Sequence, residues 1–170
     1  MSPAEIPSPE ALSETLQTNM NFLWVAICAA LVFFMQAGFA MLESGMVRSK
    51  NAINVIMKNY TDMCFGALVF WVVGYGLMFG TNISGYYGTD TFCLSEGSSW
   101  DYMVLMYQMM FAATAATIVS GALAERIRFS AYLLVAIVIT GFIYPVFGSW
   151  AWNENGWLAQ RGFVDFAGST

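Results

Sequence analysis

The sequence predicts an all-α, polytopic membrane protein on three observations. Only 10% of its 170 residues are charged and 58% are apolar, whereas an ordinary soluble domain carries roughly 25% charged residues. The apolar residues are also contiguous: 15–42, 63–89, 102–124 and 129–153 contain no Asp, Glu, Lys or Arg, and each stretch exceeds the ~20 residues a helix needs to cross a bilayer. Finally, none has the strict alternation of a lipid-facing barrel strand, so the backbone polar groups must be satisfied within helices. A soluble enzyme is excluded on the same grounds. With six Lys and Arg against eleven Asp and Glu, for a net charge of −5, there is no phosphate-binding surface and no nucleic-acid partner is expected.

Residues 1–19 carry Glu5, Glu10 and Glu14 with Pro3, Pro7 and Pro9 and no basic residue. A secretory leader opens with a basic region, so this stretch is expected to be a polar, extracytoplasmic tail. Residues 20–170 are expected to form one membrane domain. Its first span is predicted from Asn21 to Leu42, where Gln36 suits a hydrogen bond between helices. Glu43 closes that span and is expected to pair with a basic residue of the neighbouring loop.

The second span is predicted from Ile53 to Phe79 and has an unusually polar entry, with Asn51, Asn54 and Asn59. Lys58 and Asp62 follow four apart on one face. An ion pair or polar anchor at the inner mouth is the favoured reading, and a proton or ion relay is the alternative. The sequence has no His, which removes imidazole shuttles, His-metal sites and Ser-His-Asp triads. Cys28, Cys64 and Cys93 form no CxxC or metal spacing. No metal, cofactor or enzymatic activity is expected.

The third span is predicted from Tyr102 to Ala124. Ala112, Ala116 and Ser120 form one row of small residues, and Ala113, Thr117 and Gly121 form the next, a spacing that lets helices approach closely. Tyr107, Phe111, Thr114 and Ile118 share another face. Tyr107 and Phe111 are either part of an interfacial aromatic belt or part of a site for a small cation; composition does not choose, and from the residues alone the belt is the favoured reading. The fourth span is predicted from Phe129 to Trp150, with a bend at Pro145. Trp150, Trp152 and Trp157 crowd the loop that follows, and a fifth helix is expected to begin near Asp165.

Orientation follows from the basic residues. Arg48, Lys50 and Lys58 fall between the first and second stretches and Arg126 and Arg128 between the third and fourth, leaving Arg161 alone elsewhere. The positive-inside rule puts that side in the cytoplasm. The N-terminus and the loops 80–101 and 151–162 are then outside, in an inner or plasma membrane.

Three motifs in order carry a family resemblance. Phe34-Met-Gln-Ala-Gly-Phe-Ala-Met-Leu-Glu-Ser-Gly-Met-Val-Arg-Ser-Lys-Asn-Ala-Ile-Asn-Val-Ile-Met-Lys-Asn59 resembles the first-to-second-helix region of the ammonium transporter (Amt/Rh) family. Gly121-Ala-Leu-Ala-Glu-Arg-Ile-Arg-Phe129 resembles its third-to-fourth-helix loop, and Asp165-Phe-Ala-Gly-Ser169 the opening of its signature. The resemblance runs from the first span to Thr170. It implies an eleven-helix protomer of two inverted five-helix repeats, with the N-terminus outside, assembled as a homotrimer with one pore per protomer. Implied partners are ammonium or ammonia, the lipid bilayer and a cytoplasmic regulatory protein.

The resemblance also implies an outer ammonium site. Phe111 corresponds to the phenylalanine gate beneath it, Tyr107 to the aromatic position one turn above, and Trp152 to the outer tryptophan, with Trp150 as its near competitor. Asp165 corresponds to the acid at the start of the fifth helix, where a carboxylate caps the helix and supports the site electrostatically. Such a site suits a cation with four donors, offering π faces and a few oxygen acceptors, while a dry channel beyond rejects K⁺ and Na⁺ by the cost of dehydration. The expected function is ammonium transport; the alternative is an ammonium sensor whose transporter-like domain is coupled to a cytoplasmic signalling module. The family's paired pore histidines would lie beyond Thr170. The 170 residues are expected to cover four helices and the start of a fifth, short of one five-helix repeat.

Overall fold

The computed structural model describes residues 8–168 and Thr170. Among them, four helices are long and apolar enough to cross a membrane: α1 (Pro9–Met46), α2 (Ser49–Phe79), α3 (Ser99–Ala122) and α4 (Phe129–Trp152). No strand occurs among the described residues. α1 packs along α3 and the first half of α2, and the far half of α2 packs against α4.

α1 begins twelve residues before the predicted span. The Ser8 hydroxyl accepts from the Ala11 amide, Pro9 fills the first helical position and Glu10 lies in the first turn, a start signal that a reading of hydropathy alone passes over. The polar stretch from Pro9 to Asn19 is therefore helical, while residues 1–7 lie outside the described residues. Further along, Ala29, Val32, Gln36 and Glu43 are the buried positions of α1. Their spacing of three, four and seven makes one stripe, and it faces α2 and α3.

α2 opens with a 3₁₀ turn at Ser49–Asn51 and widens into π-helix twice, at Asp62–Gly66 and Phe70–Gly74. α4 does so once, at Ile139–Ile143, immediately before Pro145. A proline inside a helix lacks its donor and crowds the carbonyl four residues back. The π segment is the local form of the bend expected there.

The crossing of α2 and α4 is close. A Cβ on Gly74 would stand 2.6 Å from Phe70 Cδ2, 2.9 Å from the Thr140 carbonyl and 3.0 Å from Pro145 Cγ. The Asn153 amide then closes the end of α2, donating to the carbonyls of Met78 at 3.1 Å and Gly80 at 3.0 Å. Both rows of small residues on α3 are used: Ala112, Ala113, Ala116, Thr117 and Ser120 are fully buried.

The α1–α2 and α3–α4 connections meet at the opposite end. Glu125, in the left-handed region at φ 61°, accepts from the Arg48 amide at 3.0 Å, from Arg48 Nε at 3.1 Å and from Asn51 Nδ2 at 2.7 Å. Arg48 and Glu125 form the one ion pair among the described residues. Glu43, expected to take that role, is instead turned inward by the α1 stripe.

Candidate functional site

Tyr107 and Phe111 are one turn apart on α3, with ring centroids 4.9 Å apart and planes at 66°. Tyr144 and Trp152 are two turns apart on α4, with centroids at 6.3 Å. These four rings, with Gln108, Asp165, Gly168 and Thr170, enclose a cavity of about 320 Å³. All four residues expected to form the outer site, Tyr107, Phe111, Trp152 and Asp165, thus line one cavity. Trp152 also borders a larger depression of about 560 Å³ under the 80–101 loop.

Polar contacts fix the aromatic walls. The Trp152 indole donates to Asp165 Oδ2 at 2.9 Å, and the Tyr144 hydroxyl donates to Gln108 Oε1 at 2.7 Å. The Thr170 amide also donates to Asp165 Oδ2, at 3.3 Å, and residues 166–168 form a turn. Trp150 is set aside from this cavity: it packs on Phe147 and Trp157 and donates to the Tyr86 carbonyl. Tyr144 and Gln108 were not anticipated. The signal for Tyr144 was its spacing of eight from Trp152, two full turns along one face.

The sequence model of the Ammonium Transporter Family matches residues 23–170. The chain belongs to the ammonium transporter family. It is 45% identical to ammonium transporter Amt2 of Archaeoglobus fulgidus over 173 residues, covering 94% of this chain and 36% of that one. It is 41% identical to ammonium transporter 1 member 3 of Solanum lycopersicum, covering 89% of this chain and 35% of that one. Among solved structures, a Sensor Amt Protein superposes with a TM-score of 0.86 at 42% identity, over 91% of this chain and 41% of that chain. Saccharomyces cerevisiae Mep2 superposes at 0.75 with 27% identity, over 87% of this chain and 35% of that chain. The chain spans about a third of the length of the curated relatives it matches.

Helices α1 to α4 also share a buried polar cluster near the basic end. Gln36 bonds Thr114 at 3.2 Å and receives the Thr117 hydroxyl at 2.9 Å, as interhelical glue should. Asn59 Nδ2 and the Ser120 hydroxyl donate to Glu43 Oε2 at 3.1 and 3.2 Å. The Tyr132 hydroxyl donates to Asp62 Oδ2 at 2.5 Å, and the Thr117 hydroxyl lies 3.3 Å from the same oxygen.

Lys58 and Asp62 form no ion pair, contrary to the favoured expectation. The Tyr132 side chain stands between them: its ring lies under Lys58 Nζ at 5.1 Å from the centroid, while its hydroxyl holds the Asp62 carboxyl. Nor does Lys58 snorkel, being 1% exposed.

Proposed function

We propose that this chain is the ammonium-recruiting portion of an ammonium transporter. The single observation that carries the reading is the convergence of three further rings and one carboxylate on the cavity beneath Trp152, in a chain of this family. A small cation is attracted to an aromatic face within about 6 Å, more strongly as water is removed. Trp152 and Tyr107 supply such faces, Asp165 supplies negative charge, and Phe111 closes the cavity toward the interior. Beyond Phe111, passage through a hydrophobic pore requires ammonium to leave its proton behind, since the neutral molecule crosses apolar surroundings at far lower cost than the ion.

The two curated relatives named above are ammonium transporters, which supports transport over signalling, although one of the similar solved structures is a Sensor Amt Protein. Completion by seven further helices, trimer assembly, a cytoplasmic regulator, a cell-membrane location and an outside N-terminus belong to the same proposal. In it, Asp90, Glu96, Asp101 and Glu154 give the outer face a negative field that concentrates cations. Uptake of labelled methylammonium by cells expressing the full gene product tests the reading. Saturable uptake that ammonium competes away is expected; no uptake in cells carrying the protein in the membrane overturns it.

A further inference from the structure

The cluster shared by α1 to α4 has a hydrogen-bond deficit of one kind. Two of its buried side-chain oxygens lack a partner, Asp62 Oδ1 and Asn59 Oδ1, and both are acceptors. Asp62 is 0% exposed and Asn59 is 3% exposed, so neither side chain faces bulk solvent. The Asn59 amide cannot be turned around to cure its own half, because Nδ2 already donates to two acceptors, Glu43 Oε2 and the Val55 carbonyl. Asn59 and Asp62 are three residues apart on α2, so the two residues are neighbours on one helix face.

The charges are unbalanced in the same sense. Glu43 on α1 and Asp62 on α2 face one cation, Lys58 on α2, with Thr117 and Ser120 from α3 and Tyr132 from α4 completing the surroundings. With Glu43, Asp62 and Lys58 ionised the cluster carries one negative charge in excess; Asp62 and Lys58 are 0% and 1% exposed, while Glu43 also lines a depression of about 390 Å³ at the basic end. No ion pair within 4 Å offsets that charge among the described residues. A buried charge without a partner is strongly disfavoured. A hydrogen on Asp62 Oδ1 removes the excess charge and makes that orphan oxygen a donor, the kind of group that both orphan acceptors lack.

We propose that the cluster is an intramembrane proton-binding site, with the proton on Asp62 Oδ1 and shared with Asn59 Oδ1. The carboxylate takes the proton from hydronium, releasing water; one O–H bond forms, and the net charge of the cluster falls to zero. The Tyr132 hydroxyl keeps its own proton as donor to Asp62 Oδ2. Asp62 begins a π-helical segment, a distortion that recurs at functional sites.

Infrared difference spectroscopy of the full chain in lipid at neutral pH tests the site without any transport assay, so its failure is separate from that of the transport reading. A protonated-carboxyl C=O band is expected, lost in Asp62→Asn and kept in Glu43→Gln. Should Asp62→Asn fail to insert, Tyr132→Phe is expected to move the band to higher frequency by removing the bond to Oδ2. Absence of the band in the unaltered chain overturns the proposal. So does a band that neither Asp62→Asn nor Tyr132→Phe alters, or one that Glu43→Gln abolishes.

Discussion

Trp152 reaches the cavity because α4 continues to its own backbone position, and its indole is then held by Asp165. Replacing it with Leu keeps apolar bulk and removes the π face. A cation–π contact contributes about 0.5 to 2 kcal/mol, so Trp152→Leu is expected to raise half-saturating ammonium by about 2- to 30-fold, measured as concentration-dependent uptake by the full gene product. Trp150→Leu, whose ring packs on Phe147 and Trp157, is expected to leave half-saturation unchanged. Equal effects from the two would remove Trp152 from the site. Phe111→Ala is expected to alter the uptake rate at normal protein yield, because its ring closes the cavity and is only half-buried. Of the residues lining this cavity, Tyr107, Phe111, Trp152 and Asp165 were named through the family motifs. Tyr144 and Gln108 were not, since a tyrosine before a proline and a glutamine in an apolar run both read as packing until their hydrogen bond is seen.

At the scale of elements, absence of charge marked all four spans because lipid rejects charged side chains, and that signal is independent of helix geometry. It could not mark the π segments, which alter the hydrogen-bond register without altering composition. Nor could it show that Glu43 faces inward, which depends on the stripe shared with Gln36 and on the small residues of α3 that let the helices close. The α2–α4 crossing gives a direct test. Gly74→Ala places a methyl against the Thr140 carbonyl and Pro145, and overpacking of this kind costs typically about 1–3 kcal/mol; thermal unfolding in detergent should show the loss. Gly45→Ala meets nothing within 4 Å and is expected to leave the midpoint unchanged. The connection of the two basic loops is sensitive to acid. Hydrogen bonds from the Arg48 side chain, then from Asn51, bring Glu125 from the usual 4.5 to about 2. A depressed carboxylate favours the fold above its unfolded value and loses that contribution as protonation sets in. The midpoint of the unaltered chain should therefore fall between pH 4.5 and 2 more steeply than that of Glu125→Gln.

Across the whole molecule, the two ends of the bundle differ in the way a membrane distinguishes. Arg48, Lys50, Arg126 and Arg128 gather where the Glu125 connection joins the two loops, and the opposite end carries Asp90, Glu96, Asp101 and Glu154. In the proposed orientation the basic end lies in the cytoplasm, because Lys and Arg near span ends are retained there. The chain holds its own reporter of that assignment. Cys93 lies in the acidic-end loop and is exposed, whereas Cys28 and Cys64 are half-buried within α1 and α2. A membrane-impermeant maleimide added to intact cells should therefore label the unaltered chain, and Cys93→Ser should abolish that label. Moving the thiol to the basic end, as Ser49→Cys in the Cys93→Ser background, should restore labelling only after the cells are permeabilised, since Ser49 is exposed at the start of α2. The reverse pattern would turn the molecule over and put the Trp152 cavity on the cytoplasmic face, where it would meet ammonium leaving the cell side of the membrane instead of ammonium arriving from outside.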